Sequence, residues 1–152
     1  MKALLIFHTI TGHTKQAVED IAKGLEKKDI NFEILNVKDI EQDKIDFNQY
    51  QILIIGTPTH VGGPARKISK FVDKLTPNDL ENKRIGLVSC YALFGGNSTV
   101  NKLEKKLRKK SSNIQVEKIA VMAGAPGSLW KGPDASEKDV QKCVSLGEKL
   151  GE

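Results

Sequence analysis

The chain has 152 residues, 39% hydrophobic and 28% charged, with 24 Lys and Arg against 19 Asp and Glu for a formal net charge of +5. That length holds one folded domain with a core and is too short for two ordinary ones, and the balance of apolar and charged residues excludes a disordered chain. No apolar run nears the roughly 20 residues that a bilayer span needs.

Ala3 to Phe7 is a continuous apolar run, the pattern of a strand buried on both faces. It is short and ends in polar His8-Thr9 with no small-residue cleavage site behind it, so it reads as a strand and not as a signal peptide. A polar loop, 8–13, follows, and then a helical pattern with Ala17, Val18, Ile21, Ala22 and Leu25 on one face. Residues 31–37 alternate as a more exposed strand does. The segment 38–50 reads either as a helical turn or as an irregular connection. Gln51 to Thr57 is a second buried strand. Pro64 stands where a helix can begin, with Ile68, Phe71, Val72 and Leu75 as its buried stripe. Arg84 to Cys90 is a third buried strand. Residues 98–110 are helical, with Val100, Leu103 and Leu107 inward. Residues 114–123 give the last strand, and Pro133-Asp134 open a final helix carrying Val140, Val144 and Leu150.

Five strands alternating with four helices imply parallel strands joined by right-handed crossovers, in a three-layer α/β/α fold spanning residues 1–152 as a single domain. Ligands in such sheets bind beyond the carboxyl ends of the strands, where the strand order reverses. The two cysteines, Cys90 and Cys143, are isolated from each other in sequence, which fits free thiols in a reducing compartment and a cytoplasmic location. The excess positive charge concentrates in Lys102 to Lys110. This is the solvated face of an amphipathic helix. Nucleic acid is the weaker reading of it, since no aromatic residues are interleaved for base stacking.

Three loops then emerge at one edge of the sheet: His8 to Thr14, Thr57 to Pro64 and Cys90 to Ser98. Between them they hold Gly12, Gly62, Gly63, Gly95 and Gly96, and none contains Asp or Glu. The first reads Thr9-Ile10-Thr11-Gly12-His13-Thr14 and leads into a helix. Exposed N–H groups at a helix start, with the macrodipole behind them, favour an anion such as phosphate. Gly12 lets the backbone curl closely around it, and the threonine hydroxyls add donors. The competing reading makes Thr14 an ordinary N-cap after an ordinary turn. The loop lacks both G-x-x-x-x-G-K-[ST] and G-x-G-x-x-G, which argues against an NTPase and a usual dinucleotide domain. The Gly62-Gly63 pair permits close approach to a flat ligand, and Tyr91 and Phe94 place two rings beside Gly95-Gly96.

Thr9-x-Thr11-Gly12-x-Thr14, the strand end Ile55-Gly56-Thr57-Pro58-Thr59 and the glycine-rich third loop resemble a short-chain flavodoxin over nearly the whole chain. The resemblance implies the family's strand order, 2-1-3-4-5, with FMN at the switch point. It implies that Thr9, Ile10, Thr11, Gly12, His13 and Thr14 hold the FMN phosphate and that Pro58 and Thr59 meet the ribityl chain. His60, Val61, Gly62, Cys90, Tyr91, Phe94, Gly95 and Gly96 would border the isoalloxazine ring. The family transfers electrons by cycling the flavin among oxidised, semiquinone and hydroquinone states, and a glycine peptide, here Gly62, turns its carbonyl toward the ring on reduction. Three departures stand out. The stacking Trp of the second loop is missing, and the only Trp, Trp130, follows the last strand, where it either reaches the cofactor or caps the core. The sequence pI is about 9.1, where the family is acidic. The Thr57-Pro58-Thr59 loop also resembles that of flavodoxin-like NAD(P)H:quinone oxidoreductases, although the chain has no room for their insertions.

His8, His13 and His60 have no Cys or carboxylate at ligand spacing, so no metal site is expected. Ser89-Cys90 lacks a nucleophile elbow, no carboxylate pair suits acid–base work, and no catalytic residue is expected; the flavin would supply the chemistry. The expectation is a monomeric electron carrier serving redox proteins with acidic docking faces, with an FMN-dependent reductase as the alternative. A flavin-fold module that has lost FMN is a third, weaker possibility.

Overall fold

A computed structural model describes residues 1–152. Its elements run β1 (Lys2–Phe7), α1 (His13–Glu26), β2 (Asn31–Asn36), β3 (Ile52–His60), β4 (Gly63–Pro64), α2 (Arg66–Lys74), α3 (Pro77–Leu80), β5 (Arg84–Tyr91), α4 (Gly96–Lys110), β6 (Gln115–Met122) and α5 (Glu137–Leu150). The sheet order is β2-β1-β3-β5-β6, and all four pairings along it are parallel. With the two-residue β4 set aside as an antiparallel flap on β3, this is the expected order of five main strands.

The strands sort their residues by the two-residue period of the pleat. Ala3, Leu5 and Phe7 of β1 pack with Ile21 and Leu25 of α1 and with Cys143 and Leu146 of α5. Leu4 and Ile6 face the other way, onto Ile68 and Phe71 of α2 and Leu103 and Leu107 of α4. β1 and the first half of β3 are buried on both sides, which is why they read as unbroken apolar runs. α1 and α5 touch backbone to backbone: a Cβ on Gly24 would lie 2.0 Å from the Val144 carbonyl, and one on Gly147 would lie 2.0 Å from the Ile21 carbonyl.

Several boundaries differ from the sequence reading. Pro64 does not open a helix. It pairs with Thr59 in the β3–β4 hairpin, and α2 starts two residues later, behind Ala65. Pro133 is likewise outside a helix: its carbonyl accepts the Gly124 N–H at 2.8 Å, and α5 begins at Glu137 behind the Ser136 cap. β3 continues past Thr57 to His60, because β5 pairs with it through Pro58 and β4 then pairs with Thr59 and His60. The open segment 38–50 resolves into single 3-10 turns at Gln42–Lys44 and Phe47–Gln49, following one at Val37–Asp39. α3 was not anticipated; Thr76 and Asp79 form a reciprocal capping box around it.

One lysine of ordinary surface appearance is structural. Lys83 is buried and its Nζ donates to the carbonyls of Phe47, at 2.6 Å, and Tyr50. Burial holds its pKa below the usual lysine range. No helix of the chain is long and apolar enough to cross a membrane.

Candidate functional site

β1, β3 and β5 end side by side, so the loops that follow them meet at the carboxyl edge of the sheet. His8 extends the alignment by one residue, its N–H bonding the Gly56 carbonyl at 3.2 Å. The chain then turns at Gly12, whose φ of +97° lies in the left-handed region that suits glycine. Thr9 Oγ1 accepts the Gly12 N–H at 2.9 Å and closes the turn. Gly12 itself is the N-cap of α1 and no side chain caps the helix. The first intrahelical bond runs from Gln16 N–H to the Gly12 carbonyl, so the N–H groups of His13, Thr14 and Lys15 have no backbone acceptor. The first turn carries no acidic residue. This is the donor arrangement an anion needs at a helix start. Thr14 is not an N-cap: it sits inside the first turn, 2% exposed, between Gly56 and the Cys90 thiol.

The second loop is the β3–β4 hairpin. Its two central residues, Val61 and Gly62, have φ of +49° and +72°, as the tight turn between antiparallel partners requires. For Val61, a β-branched residue at full exposure, that backbone is strained. Thr57 fastens the base of the loop by accepting the Ala65 N–H at 2.9 Å. The third loop is bound to the second. Ser98 Oγ donates to the Gly62 carbonyl at 2.9 Å, Thr99 Oγ1 lies 3.2 Å from Thr59 Oγ1, and a Cβ on Gly95 would sit 2.9 Å from Gly62 Cα.

Together the loops border an open cleft of about 700 Å³. Of the sequence-predicted residues, Thr9, Ile10, Thr11, His13, Thr14, Pro58, Thr59, His60, Val61, Cys90 and Tyr91 line it. Five do not. Gly12 faces an adjoining groove beside Gln16 and Asp20. Gly62 and Phe94 line a shallow neighbouring groove, Gly95 packs on Gly62, and Gly96 lies under the Tyr91 ring. The His13 imidazole turns away from the first loop and bonds the Lys131 carbonyl at 2.5 Å through Nε2. Trp130 neither caps the core nor lines the cleft; it is 64% exposed.

A fourth wall escaped the sequence reading. Ala123, Gly124, Ala125, Gly127 and Ser128, after β6, form it, and Ala92 of the third loop completes the lining. The signal was present: Ala-Gly-Ala-Pro-Gly-Ser has the same glycine-rich, acid-free composition as the other loops. His13 holds this wall in place, since its ring lies against Gly124 as well as Lys131.

No carboxylate lines the cleft. Burial pushes the Cys90 thiol up to about 11, so at neutral pH it is a protonated wall residue and not a nucleophile. His8 Nδ1 is buried without a hydrogen-bond partner, and burial, then the nearby cations Lys67 and Lys38 with His60, pull its pKa below the usual value. No three His, Cys, Asp or Glu side chains gather where they could hold a metal ion. The cleft thus offers unpaired donors at one end, close-packed peptides along its side, the imidazoles of His13 and His60, and no carboxylate.

Residues 4–128 match the family model described as a flavodoxin domain. A flavodoxin of Synechocystis sp. is 31% identical over 97% of this chain and 80% of its own length. A flavodoxin of Maridesulfovibrio salexigens is 30% identical over 74% of this chain and 80% of its own length. Among solved structures, a flavodoxin from the domain Archaea superposes with a TM-score of 0.78, at 20% identity, covering 99% of this chain and 96% of the other.

Proposed function

The chain belongs to the flavodoxin domain family, whose members bind FMN, and from that premise we propose that it is a single-domain FMN-binding electron carrier, monomeric and cytoplasmic, that exchanges electrons with redox proteins. The observation that carries the reading is the uncapped start of α1, where three N–H groups lack backbone acceptors beside three threonines. That donor set fits a phosphate dianion and needs no lysine or arginine contact. Thr9, Thr11, Gly12, His13 and Thr14 would hold the phosphate. Pro58 and Thr59 would meet the ribityl chain. His60, Val61, Cys90 and Tyr91, with the Ala123–Ser128 wall, would border the ring. FMN supplies one- and two-electron redox chemistry when bound. The protein's part is to bind it, orient it and set its electrostatics. With no carboxylate in the lining, this cleft would oppose negative charge on a bound flavin less than an acidic flavodoxin does, and the second reduction potential would be higher. A redox titration tests this, and a second potential as low as theirs contradicts it.

The chain purified in excess FMN should stay yellow through gel filtration and oxidise NAD(P)H only slowly without a partner. Rapid NAD(P)H oxidation would make it a reductase. A colourless protein would remove the carrier reading.

A further inference from the structure

The two helical layers differ in charge. α2 and α4, which cover one face of the sheet, carry ten cations against two acids. α1 and α5, on the opposite face, carry five cations against six acids. The pairing differs as well. Of the five cations on α1 and α5, four have a carboxylate within 4.0 Å: Lys15, Lys23, Lys142 and Lys149. On α2 and α4 only Lys106 and Arg108 do, and they use both acids of those helices, Asp73 and Glu104. The remaining eight cations have no carboxylate partner, and Lys70, Lys105 and Lys109 among them are exposed.

This charged face reaches the cleft. α4 begins at the third loop, and Ser98 in its first turn holds the Gly62 carbonyl. The Lys102 ammonium comes within 3.7 Å of where a Gly63 side chain would stand. Beside it, Val61, Leu93 and Phe94 project at the rim with 101%, 66% and 76% exposure. An apolar tip next to uncompensated charge has the make-up of a transient docking surface, in which charge steers the encounter and a small apolar centre excludes water.

We propose that the α2–α4 face, together with the Val61/Leu93/Phe94 rim, is the surface on which this protein docks an acidic redox protein. The inference rests on the electron-carrier reading and specifies its docking face. An acidic protein fits better than nucleic acid. The face offers two arginines against eight lysines, and its only aromatic residue on these helices, Phe71, is buried in the core.

The test uses the 15N-labelled full chain in excess FMN, titrated with an acidic plant-type [2Fe–2S] ferredoxin at low salt. Amide signals of α2, α4 and the two rim loops should shift or broaden, and the affinity should fall at least about tenfold on raising salt toward 0.2 M. The triple variant Lys70→Glu, Lys105→Glu, Lys109→Glu should weaken binding roughly tenfold or more. The control Lys28→Glu, Lys138→Glu, Lys142→Glu should change it less than about twofold. Perturbations on α1 and α5, or equal losses in both variants, overturn the proposal. Tighter binding of a 20-base-pair DNA duplex than of the ferredoxin at the same salt overturns it in favour of nucleic acid. If the chain retains FMN but α2 and α4 do not respond, only the docking face fails. If they respond but no FMN is bound, the face stands and the carrier reading fails.

Discussion

Replacing Gly95 by Ala should separate the second and third loops. Gly95 has a φ of +91°, and its Cβ would stand 2.9 Å from Gly62 Cα and 3.2 Å from Thr59 Cγ2. An L-residue held in the left-handed region costs roughly 1–2 kcal/mol. Contact with a backbone atom that cannot swing aside adds an overpacking cost of about 1–3 kcal/mol. The sum, about 3 kcal/mol, lowers the Tm of a chain this size by roughly 6–12 °C. Gly62→Ala is the matched control. Its φ is +72°, but the nearest atom to its Cβ is the Ser98 hydroxyl at 3.9 Å. It should therefore cost only the backbone share, roughly 1–2 kcal/mol. Thermal unfolding of both variants without added FMN measures the difference, and FMN titration of each should show the larger loss of affinity for Gly95→Ala. Equal Tm losses in the two variants would refute the loop contact as the cause.

Val61→Asn should stabilise the protein by about 1 kcal/mol, because Asn tolerates the left-handed turn that strains a β-branched side chain; an unchanged urea midpoint would count against strain there. Lys83 binds its proton less tightly in the fold than in the unfolded chain, where its pKa is near 10.5. The cost of its buried charge is fully present at low pH, and stability rises as the pH climbs from the folded value toward 10.5. The wild type should therefore gain on Lys83→Met as pH goes from 7 to 10, and parallel urea midpoints would contradict this. Burial raises Cys90 to about 11 and Cys143 to about 12, so neither thiol should react quickly with Ellman's reagent at pH 8 until the chain is unfolded. Rapid labelling of the folded protein would contradict their placement.

The layers were legible in the sequence because β1, β3 and β5 are buried on both faces, and such strands write themselves as apolar runs. The first loop was legible because helix-start chemistry is local: Thr9, Gly12 and the uncapped turn lie within a few residues of one another. What escaped depends on long-range contact. Pro64 and Pro133 look like helix starts, and only the hairpin partner Thr59 and the Gly124 N–H show otherwise. Gly24 and Gly147 give no hint in sequence that they meet. Lys83 looks like any surface lysine until the Phe47 and Tyr50 carbonyls close over it. His13 was placed in the phosphate loop by position, while its side chain serves the wall at Gly124 and Lys131.

FMN and riboflavin differ only in the phosphate that the start of α1 would hold, so their relative affinity reads that contact alone. Charge-assisted hydrogen bonds contribute about 1.5–3 kcal/mol each, so even one or two of them separate the ligands by at least roughly tenfold to a hundredfold. Quenching of flavin fluorescence on titration with the apoprotein measures both affinities. The structure predicts that FMN binds more tightly by that margin, and that inorganic phosphate competes with FMN but not with riboflavin. Equal affinity for the two flavins would contradict it.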